Sequence, residues 1–398
     1  MNDLTRATLR ELGLPSGRDE HWKYAPGRLL ARRDWWAAPA EALSLPDPVS
    51  LAHATLPLDA PVLAFAGGHA VPRALGGFGA LPAGVTLRPL AEPPALEGDA
   101  TGAAVHSSAI AAATTPGAWE LSVAPNTVAG DLQLLHLPAP GAGALVLRVV
   151  VGRGSSLRLL ESVTGDAGDT EGTVASPAPQ TVRWLQVQVG EGARVTHATV
   201  QHLPSTAALL EQLDVTIARD GCYEALPAVL GGQAVQCTAR VKLAGSGATA
   251  HWAQLLRVGG ATHADVNLTI LHAAANTSST QNLRALADGR ARGAFSGKVV
   301  MPPAAHGADS AQSIRNLLLS PQAELDTRPQ LEIHVHDVKA SHGTTTGSLD
   351  PQALFYLRSR GIGELEARQL LTQAFAHEVI SRLPWPEVRG WLSARVMP

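Results

Sequence analysis

Val149-Val150-Val151-Gly152-Arg153-Gly154 and Val187-Gln188-Val189-Gly190-Glu191-Gly192 share one pattern: an aliphatic triplet that runs into a short turn ending on glycine. It recurs in Val215-Thr216-Ile217-Ala218-Arg219-Asp220-Gly221 and in Val241-Lys242-Leu243-Ala244-Gly245-Ser246-Gly247. A further apolar strand follows each turn. The turn glycines, 154, 192, 221 and 247, are spaced irregularly but within the window expected of stacked repeats. Helical periodicity is largely absent from about 143 to 340, and short strands at such spacing suit either a sandwich or a β-helix. The Cys–Trp–Cys framework of an immunoglobulin-type sandwich is missing. The matched strand–turn–strand unit therefore favours a mostly β chain built around a β-helix, each coil burying its inward residues against the coils above and below.

The stretch Asp326 to Ile362, DTRPQLEIHVHDVKASHGTTTGSLDPQALFYLRSRGI, closes this region. Leu331, Ile333 and Val335 alternate with Glu332, His334 and His336, the period-2 pattern of a half-buried strand. Ser341-His342-Gly343-Thr344-Thr345-Thr346-Gly347 has no apolar period and reads as an ordered loop that carries His342. Asp350-Pro351 is a helix start and Gly361 a helix stop. A second helix is expected from Glu364 to Arg382, with Ala367, Leu370, Leu371, Ala374 and Glu378 on one stripe and Phe375 and Val379 beside it. A third spans Pro386 to Val396. Their apolar stripe suits packing on the body or docking of a partner.

Upstream, residues 3–13 read as a short amphipathic helix, and Arg28 to Trp36 as a basic, aromatic segment that could continue as helix. Trp22 and Tyr24 are read as anchors that hold the N-terminal segment on the body. Residues 37–60 read as a connector, and Gly- and Pro-rich pieces at 66–86 and 92–104 break any long element. The expected domains are an N-terminal helical segment (1–60), a β-helix core (61–342) and a C-terminal helical domain (343–398).

The chain has 398 residues, 45% of them hydrophobic, enough for a sizeable core, and a net charge of −3 that speaks against a nucleic-acid surface. Two cysteines, Cys222 and Cys237, are too few for a disulfide framework or an all-cysteine metal site. They are read as small core residues. No secretory signal pattern or membrane span is recognisable, so a cytoplasmic location is expected. The Gly-rich pieces lack the phosphate-loop spacing, and no ATP site of that kind is expected.

The run Asp337-Val338-Lys339-Ala340-Ser341-His342-Gly343-Thr344-Thr345-Thr346-Gly347, followed by Leu354-Phe355-Tyr356-Leu357-Arg358-Ser359-Arg360-Gly361-Ile362, resembles the C-terminal signature of the SufB/SufD family of iron–sulfur cluster assembly proteins. Phe295-Ser296-Gly297-Lys298, Arg315-Asn316-Leu317-Leu318-Leu319-Ser320 and Thr327-Arg328-Pro329-Gln330-Leu331-Glu332-Ile333 extend the likeness. Glu20-His21-Trp22-Lys23-Tyr24 is similar to the N-terminus of the SufD branch. The likeness is closest over about 265–383 and covers 14–24 more thinly. It implies a right-handed parallel β-helix with helical ends, acting as a non-enzymatic subunit. Such a subunit pairs with SufB through the β-helix ends, docks the ATPase SufC through its C-terminal helices and supports iron acquisition. No cofactor is expected to bind stably; iron or a nascent cluster passes transiently at the partner interface. A cysteine motif near the N-terminus and a Cys in the signature loop, usual in the SufB branch, are missing; Ala340 stands directly before Ser341-His342.

The resemblance makes His342 the candidate ligand for iron or a nascent cluster at the SufB interface. Without it, a turn histidine is more simply a hydrogen-bonding residue. The same implication makes Tyr356, Arg358, Arg360 and Phe375 the candidate SufC-docking residues. His334 and His336, about 7 Å apart on one strand face, are read as solvated. Two alternatives are weighed: a SufB-like scaffold working as a homodimer, and a β-helix enzyme acting on polysaccharides. Ala340 and the cysteine count oppose the first. An aromatic content of 4% opposes the second. A homodimer also stands as the expected state when SufB is absent.

Overall fold

The computed structural model describes residues 13–17, 19, 22–36, 54–71, 80–94, 103–137, 144–164 and 179–397. The helix expected at 3–13, most of the connector at 37–60, and Glu20 and His21 lie outside them. Five helices are described: α1 (Gly27–Leu30), α2 (Ala103–Thr114), α3 (Pro351–Ser359), α4 (Glu364–Ile380) and α5 (Pro386–Val396). The strands begin with β1 (Val62–Ala66), β2 (His69–Ala70), β3 (Val85–Leu90), β4 (Ala118–Val123), β5 (Val128–Leu137), β6 (Ala144–Val151) and β7 (Ser156–Thr164). They continue with β8 (Gln180–Val189), β9 (Arg194–Leu203), β10 (Ala208–Ile217), β11 (Cys222–Gly231), β12 (Ala234–Leu243) and β13 (Thr249–Val258). The last are β14 (His263–His272), β15 (Ser278–Ala287), β16 (Arg292–Met301), β17 (Asp309–Leu318), β18 (Glu324–Ile333) and β19 (Lys339–Ser348).

From β4 onward, even-numbered strands stack in one sheet and odd-numbered strands in the other, and each stacked pair is parallel. The result is the expected parallel β-solenoid. Its sequence logic is visible in one column. Val149, Val187, Val215, Val241, Ile270 and Val299 occupy the same register in successive coils. All six are buried. Every coil thus presents a branched aliphatic to the coils on either side, and the four triplets quoted first stack directly on one another.

The turns between the two sheets also stack. The Gly154 amide donates to Glu191 O (2.8 Å), Gly192 to Arg219 O (2.9 Å) and Asp220 to Ser246 O (3.0 Å). Each donor has a left-handed backbone, with φ of +65° at Gly154, +60° at Gly192 and +55° at Asp220. In the third turn, therefore, the left-handed position belongs to Asp220 and not to Gly221. Gly221 is needed for space: an added Cβ would sit 2.9 Å from Ile217 Cγ2 and 3.1 Å from Gly190 O.

The outer faces of the sheets are covered by opposite ends of the chain. Trp22, Leu30 and Trp35 pack with α2 on the even-strand sheet, against Val146, Val182, Leu210 and Ala234. Trp22 is buried, the anchor role read from the sequence. The helix suggested for 28–36 is a single turn, Gly27–Leu30. On the odd-strand sheet, α4 and α5 bring Ala376, Val379, Ile380, Val388 and Leu392 onto Leu226, Leu255, Leu286 and Leu317. The buried face of α4 is thus Ala367, Thr372, Ala376, Val379 and Ile380, whereas Leu370 and Ala374 of the expected stripe face outward. Buried Arg284 on β15 ties α4 down by pairing with Glu378 (Nε–Oε2 3.1 Å), and its guanidinium lies 6.0 Å from the Phe375 ring.

Asp265, on the outer face of β14, is fully buried, and burial pushes its carboxyl up to about 7. Its Oδ2 accepts from Asn267 Nδ2 at 3.0 Å, and Oδ1 has no partner. A folded-state value raised above the unfolded one favours folding at low pH, and that contribution is lost as pH rises through 7. Asp265→Asn should therefore remove a loss of stability between pH 5 and 8. Urea midpoints at the two pH values measure it; an unchanged difference between them would refute the assignment.

Candidate functional site

The two ends of the solenoid differ. At the N-terminal end both sheets finish in antiparallel pairs, β1 with β2 and β3 with β4. At the C-terminal end β18 and β19 each pair with one neighbour only and finish their sheets. Residues at inward positions of this last coil consequently lie open. Leu325, Thr327, Pro329, Leu331 and Ile333 continue the inward columns of Gly293, Phe295, Gly297, Val299 and Met301. All the β19 residues except Ala340 are exposed.

His342 is one of these inward residues, and here the sequence reading needs correction. Ser341–Gly347 is not a loop between a strand and a helix. It is the centre of β19, the last strand, while the strand expected to be last ends at Ile333 as β18. The physical reason is the missing neighbour. A strand that no further coil covers has no inner face to bury, so its inward positions can be His and Thr, and the apolar alternation disappears. The helical region therefore begins only after Ser348, beyond the 342/343 boundary set from the sequence. His334 and His336 fall in the turn that follows β18, where His334 Nε2 lies 3.1 Å from Glu332 Oε1.

Beneath β19 the lumen is polar. Ser279, Ser310 and Ala340 form one column, Gln281, Gln312 and His342 the next, and Ala285, Asn316 and Thr346 another. Ser279 Oγ donates to Ser310 Oγ at 2.9 Å, and His272 Nε2 lies 2.9 Å from Ser279 Oγ. Burial lowers the His272 imidazole to about 4, so it is neutral at physiological pH. Asn316 Nδ2 donates to Thr327 Oγ1 (2.7 Å) and Thr346 Oγ1 (3.1 Å), joining the two edge strands. Gln312, directly under His342, is buried, and neither end of its amide has a partner.

Gly297 on β16 makes this arrangement possible. A Cβ there would overlap the Gln312 amide and approach Phe295 Cε1 to 2.8 Å. Gly297→Ala is expected to cost about 1–3 kcal/mol by overpacking and to shift the Gln312–His342 column. Urea denaturation and the imidazole NMR resonances of His342 report the two effects.

Among the described residues no group of three or more His, Cys, Asp or Glu could hold a metal ion. His342 can offer one imidazole at an open surface, and the described residues do not complete a ligand set around it. Cys222 and Cys237 are free and buried, as the sequence suggested, and Cys237 lies in the inner core of the solenoid.

The other candidates sit at the helical corner. Asp350 caps α3, its Oδ1 accepting from Gln352 N at 2.9 Å, and Gly361 ends the turn at φ +87°. Phe355 and Tyr356 on α3 and Leu365 on α4 are 74%, 56% and 67% exposed. The Arg360 guanidinium lies 5.2 Å from the Tyr356 ring, and Arg358 Nη1 lies 3.5 Å from Glu364 Oε2. Tyr356, Arg358 and Arg360 are thus together and exposed, whereas Phe375 is half-buried against the body.

One cluster went unseen in the sequence. Inside the solenoid, Glu161 (β7) pairs with Arg183 (β8) and lies 3.0 Å from His197 Nε2 and 3.4 Å from His136 Nε2. Arg183 also reaches Glu211 Oε2 at 3.2 Å, Gln201 Nε2 donates to Glu211 at 2.8 Å, and His197 Nδ1 lies 2.7 Å from the Tyr223 hydroxyl. Burial pushes Glu161 up, but Arg183 and His197 together hold its carboxyl well below the usual range. At Glu211 burial outweighs Arg183 and raises the carboxyl. The available signal was a charge at the centre of an apolar run, as in Leu159-Leu160-Glu161-Ser162-Val163 and Leu209-Leu210-Glu211-Gln212-Leu213.

Fold and site together define a parallel β-solenoid closed at one end and open, histidine- and hydroxyl-lined, at the other. The family model for the SufBD core domain of the SUF system of iron–sulfur cluster assembly matches residues 142–375, and the chain belongs to that family. A SufBD family protein of Synechocystis is 30% identical over 207 residues, 52% of this chain and 46% of its own. One from Mycobacterium tuberculosis H37Rv is 31% identical over 220 residues, 53% and 55% of the two chains. The iron–sulfur cluster assembly protein SufD of Escherichia coli K12 is 31% identical over 183 residues, 46% and 43%. The chain spans about half the length of the curated relatives it matches. Among the described residues, no helix is long and apolar enough to cross a membrane.

Proposed function

We propose that this chain is a non-enzymatic, SufD-like subunit of an iron–sulfur cluster assembly complex, joined to a SufB-type partner through the open end of the solenoid. The observation that carries this reading is the last coil. β19 presents a ten-residue edge whose N–H and C=O groups have a parallel partner on one side only, and its exposed inward face is hydroxyl-rich. A bare strand edge is a template for another strand. Pro329, which lacks a donor, suits β18 to an edge position and leaves β19 the better strand to extend. In the joined state His342 would face the partner and contribute one ligand to cluster iron, which is cargo of the complex. The partner's side chains would complete the set.

The corner formed by Phe355, Tyr356, Arg358, Arg360 and Leu365 is the proposed dock for a SufC-type ATPase. Phe375 would support it from below.

Co-expression with SufB-type and SufC-type proteins of the same source, followed by native mass determination, tests the reading. One SufB, two SufC and one copy of this chain is the expected composition. If this chain purifies alone, the subunit role is lost, and iron and sulfide retained by it alone would favour an independent scaffold. Phe355→Glu with Leu365→Glu is expected to weaken SufC capture by roughly tenfold or more while SufB stays bound; unchanged capture would move the dock elsewhere.

A further inference from the structure

Two amides and an imidazole stand one above the other in the last coils of the lumen. Gln281 (β15), Gln312 (β17) and His342 (β19) occupy one in-register column. Neighbouring strands lie about 4.8 Å apart, a spacing at which stacked amides form ladders. Gln281 and Gln312 are only 2% and 4% exposed, whereas His342 is open to solvent. Three polar atoms of the column are buried without a partner: Gln281 Oε1, Gln312 Oε1 and Gln312 Nε2. Each such atom is costly.

The column holds what is needed to pair them, in one direction only. Ser279 gives its single hydroxyl proton to Ser310 (2.9 Å), so it can only accept from Gln281, whose Nε2 lies 3.0 Å away. That turns Gln281 Nε2 toward the hydroxyls and leaves Oε1 as an acceptor. The neighbouring donor in the column is Gln312 Nε2. Once it is given to Gln281, Gln312 keeps Oε1 for its other neighbour, and a carbonyl oxygen can only accept. The His342 nitrogen facing it must then carry a proton. The terminal torsion of a Gln amide is soft, and Gly297 lacks the Cβ that would overlap the Gln312 amide.

We propose that Gln281 and Gln312 form a directional amide ladder that holds the neutral His342 imidazole in one tautomer, with its N–H inward and its lone pair toward the open face. Gln312 is thus a positioning residue. This rests on the reading of His342 as a ligand to cluster iron. A metal takes the lone pair of a neutral imidazole, and ligating histidines commonly donate their other N–H to a carbonyl or carboxylate.

NMR of the full chain with nitrogen-labelled histidine, at pH 8 and without any partner, tests the ladder; His342 is assigned by its loss in His342→Ala. One protonated and one unprotonated ring nitrogen is the expected pattern. Gln312→Met keeps the side-chain length and removes the amide, and should return His342 to the averaged signals of exchanging tautomers. Gln281→Met should do the same by freeing Gln312 to turn. Asn316→Ala removes a buried amide of the same strand whose partners are Thr327 and Thr346, and should leave the pattern unchanged. Averaged signals in the wild-type chain would overturn the proposal. So would a single tautomer that survives Gln312→Met or Gln281→Met, or an equal change in Asn316→Ala. In the reconstituted complex, Gln312→Met is expected to lower cluster yield by roughly tenfold, the scale of losing the group that orients a ligating histidine. A tautomer lost as expected with yield unchanged would uphold the ladder and overturn the ligand role of His342, so the two readings fail separately.

Discussion

Arg183→Met should lower the unfolding free energy by about 3–5 kcal/mol, the loss expected when one partner of a buried ion pair is removed. Arg183 is buried between Glu161 and Glu211 and is the only guanidinium described in contact with either. Without it, two carboxylates would remain inside the solenoid with two imidazoles, the Thr199 hydroxyl and the Gln201 amide beside them and no guanidinium. The pH dependence follows by sign. In the native protein Glu161 is held below its ordinary value, so its contribution is present above the unfolded carboxylate range and lost as pH falls through the depressed value. Without Arg183 both carboxyls would be raised by burial, and stability would instead be lost as pH rises. The deficit of Arg183→Met should therefore be largest at pH 8 and shrink toward pH 5. Urea denaturation followed by circular dichroism at both pH values measures it. A deficit below about 1 kcal/mol, the range of ordinary surface substitutions, would mean that the lumen does not depend on this charge pairing. Glu161→Leu and Glu211→Leu added to Arg183→Met should recover most of the loss, because an apolar replacement of a whole buried ion network is often neutral.

This cluster also shows where sequence reasoning reaches its limit. The solenoid was legible because stacking is a local rule: Val149, Val187, Val215 and Val241 each begin a triplet before a tight turn, and the coils place them in one column. The helical corner was legible for a similar reason, since Asp350, Pro351 and Gly361 are local start and stop signals. The lumen network was not, because Glu161, Arg183 and Glu211 lie on three different strands and become partners only through the coil geometry. The strand nature of Ser341–Gly347 was hidden for the opposite reason. Periodicity marks a strand only where one face is buried, and β19 has no coil beyond it. His342 was singled out through the family likeness, and its place in a lumen column above Gln312 became visible only in three dimensions. The split of α4 into a body face and an outward Leu370 likewise depends on how the helix lies on β13 and β15.

His342→Ala should leave pairing with a SufB-type partner intact and reduce cluster yield in the reconstituted complex by roughly tenfold or more, the usual scale for perturbing a metal site. The two effects separate because they rest on different atoms. Pairing would use the backbone edge of β19, a property of ten residues that one truncated side chain does not alter. Cluster chemistry would use the imidazole, which is exposed at an inward position of the open coil and stacked on an unpartnered Gln312 amide. Thr344→Lys with Thr346→Lys is the complementary variant. It sets two positive charges on the same face, the device by which natural edge strands resist pairing, and should lose complex and cluster together. Native mass determination reads the complex; iron and sulfide content with the visible absorption of the purified complex reads the cluster. If His342→Ala assembles clusters at the wild-type yield, iron is ligated elsewhere. If it loses the complex instead, His342 serves adhesion and not coordination. Only loss of cluster with the complex retained places the imidazole among the ligands, and the lysine variant guards that conclusion by showing what loss of pairing alone looks like.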